Sequence, residues 1–108
     1  MNPYIIPGII RTDKTESIIE LVCGYTGVKR DQLFIKQRHF KVVLTRQIIY
    51  YFLRRRTAMT LKEIANFFNQ DHSTIIYSIT QIENYIHTEH EYVCGLIKNI
   101  DSTILIAA

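Results

Sequence analysis

The sequence predicts an all-α fold: a compact helical bundle that contains a helix-turn-helix at about residues 60–87. Apolar residues recur at helical spacing through much of the 108-residue chain. Helix-capping patterns precede two of these segments, and an apolar content of 47% is enough for one modest core. We therefore expect residues 15–108 to form a single helical domain. An extended segment, residues 1–14, should precede it, since it contains two prolines and a glycine.

The first half of the domain is predicted to contain two helices separated by a loop. Residues 15–23 have an apolar helical pattern, and residues 28–34 are expected to hold one helical turn. Residues 35–41 carry several cations without an apolar stripe, and we call this predicted loop the basic loop. Residues 42–56 have a broad apolar surface, which predicts a central buried helix. The three arginines that end it, Arg54–Arg56, would complement the helix dipole, a structural alternative to binding a ligand.

The helix-turn-helix is predicted from two amphipathic helices that the tight segment 69–71 connects. Thr60 and Glu63 form a capping box before the first helix. Asp71 occupies the N-cap position of the second, where its carboxylate could accept hydrogen bonds from the free N–H groups of the first turn. The isoleucines that follow fall at helical spacing and should bury one face: Ile75, Ile76, Ile79, Ile82 and Ile86. Thr88 and Glu91 suggest another capping box before a last helix.

Short polar side chains crowd the start of the second helix. His72, Ser73 and Thr74 stand where a recognition helix presents hydrogen-bonding groups to base edges. The alternative is that these three are ordinary first-turn residues. Tyr77 and Ser78, one turn later, are expected to pack or to line the groove wall and not to read bases.

The charge is distributed unevenly along the chain, although its net value is only +3. Between Lys29 and Lys62 ten residues are Lys or Arg and only Asp31 is acidic, whereas six acids and one Lys follow from Glu63 onward. A concentrated positive segment suits a polyanion. The alternative is a solvated surface whose opposite charges pair across the fold.

Several classes of protein are excluded by what the sequence lacks. Cys23 and Cys94 fit neither a zinc site nor a secreted disulfide framework, so we expect reduced, largely buried thiols of a cytosolic protein. No apolar run reaches the ~18 residues of a membrane span. There is no Gly-x-x-x-x-Gly-Lys-Ser/Thr loop for nucleotide phosphates, and the isolated histidines form no catalytic or zinc pattern. We expect no membrane, nucleotide, metal or other cofactor, and no enzymatic activity.

With these elements in order, residues 18–100 resemble the C-terminal DNA-binding domain of the bacterial replication initiator DnaA. The hallmark Gly-Gly-Arg-Asp-His-Thr-Thr-Val of that family corresponds to Asn69-Gln70-Asp71-His72-Ser73-Thr74-Ile75, with a turn one residue shorter. Leu61-Lys62-Glu63-Ile64 matches a family Leu-x-Glu-Ile, and Thr45-Arg46-Gln47 matches Pro-Arg-Gln. The resemblance implies a Trp-repressor-like helical bundle whose partner is double-stranded DNA.

The resemblance also implies a division of roles among the candidate site residues. His72, Ser73 and Thr74 would read the major groove, and Arg38 would enter the minor groove from the basic loop. Asp71 belongs to the same interface, unless it serves only as a helix cap. Arg46 and Gln47 would contact DNA near the start of the long helix. Lys36 and Lys41 would attract phosphates. Gln70 and Gln81 stand where the family has basic residues.

These observations predict sequence-specific binding of double-stranded DNA at DnaA-box-like sites. A free-standing domain of this kind would regulate replication or transcription, in the cytoplasm and associated with the nucleoid. Two alternatives stay open: a transcription regulator with an unrelated operator, and a protein-interaction domain that has lost DNA affinity. The losses of positive charge at Gln70 and Gln81 permit the second alternative. The sequence does not identify a protein partner.

Overall fold

The computed structural model describes the backbone of residues 7–107 and the side chains of residues 14–105. The predicted all-α fold is confirmed, since the described chain consists of helices and connecting turns and has no strand. The helices are α1 (Pro7–Thr26), a 3₁₀ helix (Arg30–Phe34), α2 (Phe40–Arg56), α3 (Leu61–Phe68), α4 (His72–His87) and α5 (Glu91–Ala107). None of the described helices has the length and apolar character needed to cross a membrane.

The first helix starts earlier than the apolar pattern predicted. α1 begins at Pro7 and not at Thr15, so the prediction of extended chain is wrong for residues 7–14, while residues 1–6 lie outside the described part. Proline suits the first position of a helix, because its fixed φ is helical and the N–H that it lacks would have no partner there. A proline that starts a helix and one that interrupts a helix look alike in a sequence.

The long helix α2 is the centre of the core, as its broad apolar surface predicted. Nine of its residues are buried, and it packs against α1, α3 and α4. The ring of Tyr50 meets Phe68 of α3 edge-on, with 5.0 Å between centroids. Burial raises the pKa of Tyr50 to about 12, although Arg46 acts in the opposite direction. Phe34 stacks on the same Phe68 ring at 5.3 Å, which fixes the chain before the basic loop against the helix-turn-helix.

The predicted helix-turn-helix is present, and local hydrogen bonds fix its geometry. Thr60 and Glu63 form the predicted capping box: Glu63 N–H donates to Thr60 Oγ1 at 3.1 Å, and Thr60 N–H donates to Glu63 Oε1 at 2.9 Å. Asn69 ends α3 in the left-handed conformation, with φ 53° and ψ 50°, which asparagine tolerates better than most residues. Gln70 N–H then donates to Ala65 O at 2.9 Å. The chain therefore turns within three residues before α4 begins.

The inner face of α4 is narrower than the isoleucine pattern predicted. Ile75 and Ile82 are fully buried and Ile79 and Ile86 are partly buried, as expected. Ile76, however, is 43% exposed, so its predicted burial is wrong. Successive helical residues differ by about 100° in direction, and Ile76 falls beyond the arc that faces α2 and α3. An apolar side chain therefore remains on the outer surface of α4.

The connection to α5 uses different caps from those predicted. Thr88 closes α4 by donating to Asn84 O at 2.9 Å, so the prediction of a Thr88–Glu91 capping box is wrong. The cap before α5 is His90, whose Nδ1 accepts a hydrogen bond from Val93 N–H at 3.3 Å. Both Thr and His carry groups that can cap a helix end, and the chain direction at the turn decides which one does.

Candidate nucleic-acid interface

The polar residues at the start of α4 lie on the surface of the molecule. His72 and Ser73 are exposed and Thr74 is half-buried. Asp71 occupies the predicted N-cap position with φ −74° and ψ 150°, and its carbonyl accepts the N–H of Thr74 at 3.0 Å. Its carboxylate makes no capping hydrogen bond to the described first turn, so that part of the prediction is wrong. An exposed carboxylate can leave these N–H groups to water at little cost, and it stays free to contact a ligand.

A small cavity of about 90 Å³ lies between α4 and α2. Gln47 from α2, Gln70 from the turn and Thr74 from α4 all line it. Arg46, Tyr50 and Ser78 complete most of its wall. The structure thus brings together site candidates that are far apart in the sequence. Gln81 lies further along α4 and is half-buried.

Arg46 connects this cavity to the basic loop, residues 35–41. Its guanidinium donates three hydrogen bonds to backbone carbonyls: Nη2 to Ile35 at 2.6 Å, Nε to Leu33 at 2.9 Å and Nη1 to Gln37 at 3.3 Å. A guanidinium has only five N–H groups, so most of its capacity is used within the chain. Arg46 therefore holds the basic loop in place beside the start of α4.

The basic loop displays its cations to solvent. Lys36, Arg38 and Lys41 are exposed, and no described residue forms an ion pair with them. The last two residues of the predicted loop, Phe40 and Lys41, are already the first turn of α2. Phe40 is 62% exposed at this point. The three free cations therefore project from a short segment whose two ends are fixed by helices.

Other cations of the basic segment have partners within the protein. Arg30 makes an ion pair with Glu16 at 2.7 Å, and Arg56 pairs with Asp101 of α5. Arg54 donates to Met59 O at 3.3 Å, and the Arg55 guanidinium lies 5.3 Å from the centre of the Tyr51 ring. The alternative of charges that pair across the fold is therefore correct for Arg30 and Arg56. The three arginines at the end of α2 have structural contacts, although Arg54 and Arg55 are exposed, whereas the exposed cations of the basic loop have no described partner.

Residues 15–82 match a protein family described as the bacterial DnaA protein helix-turn-helix. This span runs from α1 into α4 and includes the basic loop, the cavity and the complete turn. The chain belongs to the DnaA helix-turn-helix family. The resemblance predicted from residues 69–75 is confirmed, and membership supports DNA binding by this domain.

The curated relatives are replication initiators of much greater length. Chromosomal replication initiator protein DnaA 1 of Chlamydia pneumoniae is 34% identical over 89 residues, which cover 79% of this chain and 19% of that protein. The chromosomal replication initiator protein DnaA of Thermus thermophilus is 33% identical over 101 residues, covering 93% of this chain and 23% of its own. The chain therefore spans less than a quarter of the length of these relatives.

Within this DnaA-type domain, Tyr77 is a surface residue whose position the sequence left open between packing and the groove wall. Ser78 is 5% exposed and packs, as predicted, but the side chain of Tyr77 is 61% exposed on the outer face of α4. Tyr77 follows Ser73 by four residues, which places both side chains on the same helix surface. That spacing was the available signal. Aromatic residues in an apolar pattern are often buried, but the exposure of Tyr77 contradicts a packing position and leaves the groove wall as the predicted alternative.

Proposed function

We propose that this domain binds double-stranded DNA in a sequence-specific manner at sites related to the DnaA box. By occupying such sites it would regulate replication or transcription, in association with the nucleoid. The observation that carries the proposal is the position of Arg46, which lines the cavity beside α4 and also holds the basic loop. A helix for the major groove and a cationic loop for the neighbouring minor groove are thus joined in one surface.

The side chains on this surface have the chemistry that each groove requires. His72, Ser73 and Thr74 offer donors and acceptors at the exposed start of α4, which suits base edges in the major groove. Arg38 is exposed in the basic loop, where an arginine would favour the narrow, electronegative minor groove of A·T-rich DNA. Lys36 and Lys41 would attract phosphates without regard to sequence. Base reading and phosphate attraction are therefore assigned to different elements.

The preferred sequence should match the DnaA box only in part. Gln70 lines the cavity beside α4 but cannot make the charge-assisted contact of the arginine usual in the family, whereas its amide can pair with adenine. The turn is also one residue shorter, and Gln81 removes a second cation.

Selection from a random duplex library should give a partly matching motif, and Gln70→Arg should raise affinity for the standard box. Recovery of the complete standard box by the wild type, with no effect of Gln70→Arg, would contradict this.

The central experiment compares His72→Ala with His87→Ala by fluorescence anisotropy. Both histidines are exposed on α4, but His87 is in its last turn. Loss of a base contact should cost roughly 1–3 kcal/mol at the selected site and much less on scrambled duplex. His87→Ala should bind both duplexes as the wild type does. Circular dichroism checks that both variants keep the fold.

The outcomes of the library selection and of this comparison separate the alternatives. An equal loss on both duplexes would show that His72 does not read bases. A selected motif unrelated to the DnaA box would favour a regulator with its own operator. No measurable affinity for any duplex would favour a protein-interaction domain and would refute the proposal.

A further inference from the structure

The exposed ring of Tyr77 lies in the middle of the residues proposed to face DNA. On a helix surface, residues three or four apart are neighbours. Tyr77 has Ser73 and Thr74 on its N-terminal side at these spacings and Gln81 on its C-terminal side. Its side chain is 61% exposed. A surface that places Ser73 and Thr74 against bases therefore also presents Tyr77 to them.

The fold itself makes no evident use of the Tyr77 ring. Tyr50, Tyr51 and Tyr85 each pack against another ring, whereas Tyr77 has no ring contact or hydrogen bond among the described residues. Ile76 beside it is also exposed, at 43%. Two large apolar side chains thus interrupt an otherwise polar stretch of α4.

We propose that Tyr77 selects thymine through contact of its ring with the C5-methyl group in the major groove. The inference rests on the proposed function. Thymine methyl is the one apolar group that base pairs display in the major groove, so it is the natural partner of an exposed apolar ring. Ser73, which precedes Tyr77 by one turn, has no methyl group of its own for such a contact. Tyr77 would therefore add thymine preference to the polar contacts of the first turn.

The test replaces each thymine of the selected duplex by deoxyuridine, one position at a time. This change removes the methyl group and keeps base pairing and the major-groove acceptor. At one or two adjacent positions the wild type should lose affinity roughly fourfold, the worth of one buried methyl group. If the wild type binds every deoxyuridine duplex as tightly as the thymine duplex, the inference is overturned and the proposed function is left intact.

Three variants assign the effect to the ring. Tyr77→Ala should lose the difference between thymine and deoxyuridine at those positions, and Tyr77→Phe should keep it because the ring is retained. Tyr92→Ala is the matched control, since Tyr92 is 49% exposed on α5, outside the proposed surface. An undiminished thymine preference in Tyr77→Ala, or its loss in Tyr77→Phe, would overturn the inference. A wild type that binds selected and scrambled duplexes alike would overturn both the inference and the proposed function.

Discussion

The two ends of α2 both carry positive charge but use it differently. At its N-terminal end Arg46 binds loop carbonyls, and three exposed cations stay without described partners: Lys36, Arg38 and Lys41. At the C-terminal end the three consecutive arginines contact a carbonyl, a tyrosine ring and a carboxylate of the same protein. The sequence shows two cationic clusters, and only in the basic loop are the exposed cations without described partners.

The helix dipole increases this difference. The N-terminal end of a helix carries about half a positive charge and the C-terminal end about half a negative charge. At the start of α2 the dipole therefore adds to the field of the basic loop, whereas at Arg54–Arg56 it offsets the arginines. Cations therefore add to a positive helix end at the start of α2, whereas at its C-terminal end they neutralise a negative one. A count of charges along the chain cannot show this.

Among the variants that test this difference between the two ends of α2, Arg46→Ala should have the largest effect on stability and on DNA affinity. It removes three hydrogen bonds from a charged donor, each worth roughly 1.5–3 kcal/mol, of which solvent would replace part. We expect lower stability in urea denaturation and at least a tenfold loss of DNA affinity in anisotropy, because the basic loop is no longer held beside α4. Arg55→Ala, at the other end, should change neither by more than a small amount.

A conservative variant separates loop positioning from charge. Arg46→Lys keeps the cation but cannot bind three separate carbonyls with the same planar fork. It should resemble Arg46→Ala in both measurements. Recovery of wild-type affinity by Arg46→Lys would show that charge alone matters and that the contacts with the loop do not.

Arg38→Ala should have the next largest effect. The lost minor-groove contact should weaken binding by roughly 1–3 kcal/mol, most strongly where the flanking sequence is A·T-rich, because a narrow A·T groove attracts arginine. The measurement compares duplexes with A·T-rich and G·C-rich flanks, with Arg54→Ala as the control. If the mutant keeps the full preference for A·T flanks, Arg38 does not lie in the minor groove.

The salt dependence of binding should be moderate. Each neutralised phosphate contributes about −0.9 to the logarithmic salt slope. If the cations of the basic loop and Lys62 are the ones available, the slope should be about −3 to −4, and not the roughly −9 that ten cations would give. Lys41→Gln should reduce the slope by about one unit, whereas Arg54→Gln should leave it unchanged. A slope near −9 would mean that both ends of α2 bind DNA.

Asp101→Asn should have the smallest effect. It breaks the pair with Arg56, in which both side chains are about a third exposed. Such pairs contribute about 0–1 kcal/mol to stability, so the urea midpoint should fall slightly and DNA affinity should not change. A clear loss of DNA affinity would place the C-terminal end of α2 in the binding surface after all.

Features that depend on neighbouring residues were predictable from the sequence. The Thr60–Glu63 capping box and the buried face of α3 follow from spacing alone. Features that depend on the direction of the chain in the folded protein were not predictable from the sequence. Such features require knowledge of which surface each helix buries. They include the role of Pro7, the choice between Thr88 and His90 as caps, and the exposure of Ile76.

The same limit applies to the candidate site. The polar start of α4 and the cationic loop were identified because their residue types are distinctive. The hydrogen bonds of Arg46 were not identified, because every residue has a carbonyl acceptor. Only the folded chain shows that Arg46 binds the carbonyls of Leu33, Ile35 and Gln37. The solvent exposure of Tyr77 escaped prediction for a related reason. An aromatic residue one turn beyond Ser73 can face either way until the packing of α4 is known.

The contacts of Arg46 also bear on conformational entropy. Ordering one residue of backbone costs roughly 1–2 kcal/mol, so a basic loop that became ordered only on meeting DNA would weaken binding by several kcal/mol. Here three carbonyls between Leu33 and Gln37 are already held before any ligand arrives. Much of that cost falls on folding and not on association. The domain can therefore dock as a nearly rigid body, with an association rate set by encounter and not by rearrangement of the loop.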